Sequence, residues 1–253
     1  MAQYSAEALV LAVHNWGDAD KMVTFMTRDQ GKIKAAAYGS RRPKSPLAAG
    51  MQMFNHIEVQ LLEGQRLATV KQYALKESFR FISEDLTAMA YASFIAELVL
   101  ELCPEHQPQP EVFDKVLQFF AAFSQRNPRV IALVAAFQLL EYTGSQLNFA
   151  ECSLCGEKEE ASLSFFSWEQ GGIVCEKCHQ AGMEEMPESL RVFILFLLKF
   201  DWDHPQSFKI TGAAMVRAER LLLGYLQYLL EKPLRSLVFI QQIAEMKLPV
   251  RPD

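Results

Sequence analysis

The stretch DKMVTFMTRDQGKIKAAAYGSRRPKS, residues 20–45, has the pattern of two β-strands followed by a basic loop. The strand-like segment at residues 20–27 ends in the turn-like RDQG, and KIKAAAY alternates lysines with small or apolar residues. Because Lys32 and Lys34 are two positions apart, both side chains lie on one face of the second strand. The stretch therefore predicts a hairpin with one cationic face that leads into a cationic loop.

The flanking sequence continues the strand pattern. EALVLAVHNW (7–16) precedes the hairpin, and MQMFNHIEVQLLEG (51–64) and LATVKQYALKE (67–77) follow the loop. Five strand-like segments within about 80 residues, with no long helical pattern among them, predict a small β-barrel domain at residues 1–80.

The pattern changes to helix from residue 84 onward. Good helix formers, proline near helix starts and glycine near helix ends predict an all-α domain at residues 81–253. The predicted helices span residues 84–103, 110–125, 128–144, 187–200, 212–231 and 234–246. Residues 193–200 are apolar on nearly all sides, so this helix is expected at the centre of a bundle. The fold class is α+β with at least two domains.

Charge is distributed unevenly along a chain of net charge −5. Residues 1–80 carry eleven Lys or Arg against seven Asp or Glu, a balance of +4, and the remainder carries fourteen against twenty-three, a balance of −9. This asymmetry indicates domains with different partners. No apolar run is long enough to span a bilayer and no secretion signal is recognisable, so the expected location is the cytoplasm, without membrane association.

Four of the five cysteines have the spacing C-x2-C-x19-C-x2-C: Cys152, Cys155, Cys175 and Cys178. In a reducing compartment this spacing predicts a four-thiolate zinc site within an inserted segment, residues 150–180. Four thiolates close the coordination shell, so one structural ion is expected rather than a catalytic one. A pair of redox dithiols and, through CEKCH, a c-type haem attachment site are the alternatives. Cys103 is expected to be a buried, inert thiol.

Cationic residues cluster in the barrel segment, and Gly39, Pro43 and Pro46 shape the loop that carries three of them. The candidate DNA-binding residues are Lys32, Lys34, Tyr38, Gly39, Arg41, Arg42, Lys44, Arg66 and Lys71. Such a surface suits a polyanion backbone, and Tyr38, Phe54 or Tyr73 supplies an aromatic ring for base stacking. The alternatives are a merely solvated basic loop and, for Phe54, a core position.

No catalytic motif is present, and the five histidines are dispersed, so the chain is not expected to be an enzyme. Two kinds of function are compatible with these patterns. One is a DNA-binding protein, and the other is a zinc-stapled adaptor that binds protein partners only.

Residues 16–45, WGDADKMVTFMTRDQGKIKAAAYGSRRPKS, together with GSQLNFAECSLCG and FSWEQGGIVCEKC, resemble the RecO family of bacterial recombination mediators. The resemblance implies an N-terminal OB-fold and a helical domain with a zinc site. It also implies binding of single- and double-stranded DNA, strand annealing, and loading of RecA onto DNA coated with the single-strand-binding protein SSB, together with RecR.

Carried over residue by residue, the resemblance assigns Gly39, Arg41, Arg42, Pro43, Lys44 and Ser45 to the basic loop and the four paired cysteines to the metal. Two departures are visible. Tyr38 stands where many relatives have lysine, which exchanges a phosphate contact for a ring. The helix VIALVAAFQLLEYTG lacks the basic residue near which relatives are thought to dock the SSB C-terminal tail.

Overall fold

Five strands in the first 77 residues form a β-barrel in the computed structural model of the chain. They are β1 (Gln3–Trp16), β2 (Asp20–Thr27), β3 (Gly31–Ala37), β4 (His56–Leu62) and β5 (Ala68–Glu77). The structure describes residues 2–65, 67–145, 147–158, 163–204 and 211–246.

Strand pairing identifies the barrel. β1 pairs antiparallel with both β2 and β4, β2 with β3, and β4 with β5, while β3 and β5 run parallel. Each strand therefore has a neighbour on both sides, in the order β1-β2-β3-β5-β4. This is the five-stranded arrangement of an OB-fold, so the predicted fold class is confirmed.

The barrel interior follows the period of two in the sequence. Val23, Phe25, Ile33 and Ala35 are inward and at most 3% exposed. The residues between them, including Lys34, therefore face outward. The alternation that identified the strands thus also determines which side chains can meet a ligand on the outer face.

Seven helices and a three-stranded sheet follow among the described residues. The helices are α1 (Arg80–Glu84), α2 (Leu86–Leu102), α3 (Pro110–Ala122), α4 (Pro128–Tyr142), α5 (Glu188–Leu198), α6 (Gly212–Leu230) and α7 (Arg235–Glu245). The sheet has the order β7-β6-β8 and consists of β6 (Leu163–Ser167), β7 (Gly172–Cys175) and β8 (Glu184–Pro187). None of the helices described has the length and apolar character that crossing a bilayer requires.

The chain divides into two compact units. The first comprises residues 1–132 and 234–253 and joins the barrel to α1, α2, α3 and α7. In it, Glu97 of α2 accepts hydrogen bonds from the backbone N–H groups of Arg235 and Ser236 (2.9 and 2.8 Å), which satisfies the start of α7. The second unit, residues 133–233, holds the small sheet, α5 and α6.

The helix expected at the centre of a bundle is a different one. Residues 131–140 of α4 are all buried, whereas Val192 of α5 is 56% exposed and Phe193 and Phe196 are only partly buried. The prediction for α5 is wrong because an evenly apolar helix carries no pattern that selects one face. In the second unit, the buried Gln138 of α4 instead donates to the Phe200 carbonyl just beyond α5, at 2.8 Å.

Candidate nucleic-acid interface and metal centre

The basic loop leaves β3 at Tyr38 and is held at its base by hydrogen bonds within the barrel. The N–H of Gly39 donates to Asp20 Oδ1 (2.7 Å), and the N–H of Arg41 donates to the Ala19 carbonyl (2.9 Å). Gly39 has a φ of +64°, a left-handed conformation that glycine adopts without strain. The loop is therefore fixed against the β1-β2 turn while its side chains remain outside.

Three cations of this loop have no acidic partner in the part of the chain that the structure describes. Arg41, Arg42 and Lys44 are exposed, and no carboxylate within the described ranges forms an ion pair with any of them. Arg41 Nη1 donates only to the neutral Gly17 carbonyl, at 3.3 Å. We call Arg41, Arg42 and Lys44 the loop cations. Their charge is uncompensated within the described chain, which is the property an anion site requires.

Lys21 reports the positive potential at this end of the barrel. Its pKa lies below the ordinary value because of burial and because the Arg41 guanidinium is close. Its ammonium donates to the Met51 carbonyl at 2.9 Å, so Lys21 closes the far side of the loop rather than facing solvent. Lys21 thus adds a fourth positive charge near the loop cations, while its ammonium is held by a backbone carbonyl.

The two lysines of β3 lie on one face of the strand, as their spacing requires, but their side chains have different surroundings. Lys32 is 9% exposed and its ammonium donates to the Leu100 carbonyl near the end of α2. Lys34 forms an ion pair with Glu105. Of the predicted cationic strand face, Lys32 is therefore buried against α2, whereas Lys34 is exposed and its charge is compensated by Glu105.

The remaining candidates are distributed differently. Lys71 is exposed on β5, two residues beyond Thr69, which pairs with Ala36 of β3. Arg66 lies outside the described residues. Phe54 is 2% exposed and contacts Phe120, so it is a core residue.

A second aromatic residue, Trp16, lies at this site and was not among the residues predicted from the sequence. Trp16 is 41% exposed and Tyr38 is 54% exposed, and their ring centroids are 5.9 Å apart. The signal was available, because Trp16 ends a strand immediately before the turn at Gly17. Extending the predicted hairpin by that strand would have placed Trp16 beside the basic loop.

The four paired cysteines converge in the second unit. Their Sγ atoms all lie within 4.8 Å of one another, and the Sγ atoms of Cys155 and Cys175 are 3.8 Å apart. A tetrahedral ion with metal–sulfur bonds of about 2.3 Å requires sulfurs about 3.8 Å apart, whereas a disulfide needs about 2.05 Å. The donor set therefore fits one tetrahedral, thiolate-bound ion, and the predicted convergence of the quartet is confirmed.

Two tight turns and a strand hold the sulfurs in place. The Gly156 N–H donates to the Cys152 carbonyl (2.8 Å), and the Cys178 N–H donates to the Cys175 carbonyl (3.1 Å). The first turn is docked on β7, where the Ser153 N–H donates to the Ile173 carbonyl at 2.8 Å. Gly172 allows this approach, because a Cβ there would overlap Ser153 Oγ and the Asn148 carbonyl.

The four thiols differ in how readily they ionise. Burial raises the pKa of Cys152, but N–H donors of Cys175, Cys155 and Leu154 outweigh it and lower the pKa to about 6. Hydrogen bonds with Cys175 and Cys155 raise the pKa of Cys178 to about 12. One thiolate is thus stabilised and further ones are penalised, a balance that a bound dication would relieve. Cys103, as expected, is buried, and burial raises its pKa to about 11.

Comparison with known proteins identifies relatives along nearly the whole chain. The families described as "Recombination protein O N terminal" and "Recombination protein O C terminal" match residues 1–79 and 83–237. DNA repair protein RecO of Symbiobacterium thermophilum is 32% identical over 249 residues, which is 96% of this chain and 98% of that protein. DNA repair protein RecO of Desulfitobacterium hafniense (strain DSM 10664 / DCB-2) is 34% identical over 182 residues, 72% and 67% of the two chains. The corresponding protein of Bifidobacterium animalis subsp. lactis is 30% identical over 241 residues, 94% and 98%.

Proposed function

Because the chain belongs to the RecO family of DNA repair proteins, we propose that it is a non-enzymatic, DNA-binding recombination mediator. In this proposal it binds single- and double-stranded DNA and anneals complementary strands. Together with RecR it helps to load RecA onto SSB-coated DNA. It would act in the cytoplasm, at the nucleoid.

One observation carries the DNA-binding part: the loop cations are exposed and have no described acidic partner, on an OB barrel. Each phosphate neutralised by such a cation releases counterions, and the logarithm of affinity then falls with the logarithm of salt concentration by about 0.7 per contact on a single strand. Three contacts give a slope of about 2. We leave Lys32 out of the proposed surface, because its ammonium is buried against α2. Lys34, Arg66 and Lys71 remain candidates.

The metal has a supporting role in this proposal. Four sulfur ligands leave no open position for substrate, so the ion would be structural, and zinc suits four thiolates. It would fix residues 150–180 as one folded segment of a helical domain, residues 81–253, separate from a DNA-binding domain at 1–80. The proposed protein contacts with RecR and with the SSB C-terminal tail rest on the family alone.

The first test uses complementary oligonucleotides coated with SSB, with and without this protein. The expected result is faster annealing in its presence, together with salt-dependent binding to a fluorescent single strand. Binding to SSB without affinity for bare DNA at any salt concentration would instead support a protein-only adaptor.

Two triple variants then test whether the loop cations contact DNA. Arg41→Ala/Arg42→Ala/Lys44→Ala should flatten the salt slope by about 2 on single strands while the melting temperature changes little, because the three side chains are exposed. A matched control removes three exposed cations elsewhere: Arg80→Ala/Lys158→Ala/Lys199→Ala. Equal slopes in the two variants would overturn the assignment of the loop.

A further inference from the structure

An aromatic pair lies at the end of the barrel where the basic loop begins. Trp16 is the last residue of β1, and Tyr38 directly follows β3. Their ring planes are inclined by 43° at a centroid distance of 5.9 Å, and both residues keep about half of their surface exposed. Both rings are thus in contact with each other and with solvent.

The strand register explains why the two rings are neighbours. Trp16 pairs with Asp20 across the first hairpin, and Lys21 pairs with Ala37 across the second. Continuing the second register by one residue places Tyr38 opposite Asp20. Trp16, Asp20 and Tyr38 therefore form one row across three strands. Ala37 faces the interior, so this row is on the outer face.

Packing of the barrel does not account for these rings. The core aromatic residues of the same unit, such as Phe25 and Phe54, are at most 2% exposed. A tryptophan and a tyrosine left about half exposed on one row forgo about half of the burial that makes aromatic residues stabilising. Their joint exposure at a single position is the property expected of a binding platform.

Two of the loop cations contact the residues that follow the rings in the chain. Arg41 Nη1 donates to the carbonyl of Gly17, the residue after Trp16. The Arg42 side chain passes over Gly39, the residue after Tyr38, where a Cβ would be 3.6 Å from Arg42 Cδ. Ring surface for bases and positive charge for phosphates therefore occur together at this end of the barrel, the combination that single-strand binding uses.

We propose that Trp16 and Tyr38 form a stacking platform for unpaired bases, and that it makes this end of the barrel selective for single strands over duplex. The inference rests on the proposed DNA binding and specifies which form of DNA the site takes. Bases inside a duplex are already stacked and paired, so they offer no free face to the rings, whereas the loop cations contact phosphates of either form.

The first experiment replaces the rings without changing charge. Trp16→Leu and Tyr38→Leu should each weaken binding of a fluorescent oligothymidylate by about 5- to 150-fold, the range for loss of one base–aromatic stack. Affinity for a duplex of equal length should change less than about twofold, and the salt slope should be unchanged. Tyr38→Phe keeps the ring and should bind like the unmodified protein.

The second experiment leaves the protein unaltered. An oligonucleotide with abasic sites in place of its central bases keeps every phosphate, so weaker binding than to the intact strand reports the stacking contribution alone. In addition, oligothymidylate should quench tryptophan emission more in the unmodified protein than in Trp16→Phe.

The outcomes separate the two proposals. Equal affinity for abasic and intact strands, or leucine variants that weaken duplex and single strand alike, would overturn the platform and leave DNA binding by the loop cations intact. Absence of salt-dependent binding to any DNA would overturn both.

Discussion

The cysteine quartet and the cations of the barrel were both predicted from spacing, and they differ in how the structure uses them. All four cysteines converge on one point, whereas the cations separate into those that are buried or paired with a carboxylate and those that are exposed with no carboxylate partner among the described residues. Each cysteine pair is positioned by a turn of four residues, so local geometry suffices. Whether a cation is available for binding depends instead on whether distant segments of the chain bury it or place an acid beside it.

Loss of one ligand should have the largest effect. Cys155→Ser or Cys178→Ser is expected to release the metal and to unfold residues 150–180, because binding energy of a structural ion is folding energy, on the order of 10 kcal/mol in small zinc domains. Metal content and hydrogen exchange of β6 and β7 measure this. Cys103→Ala, outside the quartet, should keep its metal. If Cys155→Ser also keeps it, the closed four-sulfur site is wrong.

The next largest effect is expected at Glu7, a carboxylate that binds three basic side chains. Glu7 accepts hydrogen bonds from Arg28 (2.9 Å), Lys76 (2.8 Å) and His56 (2.8 Å). Burial raises the pKa of Glu7, but these partners outweigh it and lower the pKa from 4.5 to about 2. A carboxyl with a depressed folded-state pKa stabilises the protein above its unfolded pKa and loses that contribution as the pH falls towards the folded value.

Glu7→Gln should therefore lower the free energy of unfolding at pH 7 by about 2 kcal/mol and remove part of the pH dependence between about 4.5 and about 2. Urea denaturation at several pH values measures both. Glu84→Gln, whose exposed pair with Arg80 should be worth less than about 1 kcal/mol, is the control. Identical pH profiles for Glu7→Gln and the unmodified protein would contradict this role for Glu7.

The smallest effect separates a buried lysine from an exposed one. Lys32→Met removes the hydrogen bond to the Leu100 carbonyl and should cost about 1–2 kcal/mol of stability, with no change in the salt slope of DNA binding. Lys34→Met breaks only an exposed ion pair and should cost less than about 1 kcal/mol. A Lys32→Met variant that is fully stable but has a flatter salt slope would return Lys32 to the DNA surface.

The two exposed aromatic residues differ in whether the sequence pattern predicted their place at the site. Tyr38 was predicted at the site because it adjoins the basic loop in sequence, and its exposure agrees with that position. Trp16 is 22 residues away in the chain and joins Tyr38 only through the pairing of three strands. The domain boundary at residue 80 stays a prediction, and the compact units instead group α7 with the barrel because Glu97 binds the start of that helix.

By itself, the sequence determined the α+β class, the five strands, the main helices and the convergence of four cysteines. These depend on periods of 2 and 3.6 residues and on turns of a few residues, which neighbouring positions specify. The packing of distant segments was needed to show that residues 131–140 of α4 are buried while α5 is partly exposed, and that the Lys32 ammonium is held by the Leu100 carbonyl near the end of α2. The physical reason is that burial and charge compensation depend on which distant segments pack together, and a one-dimensional pattern does not contain that information.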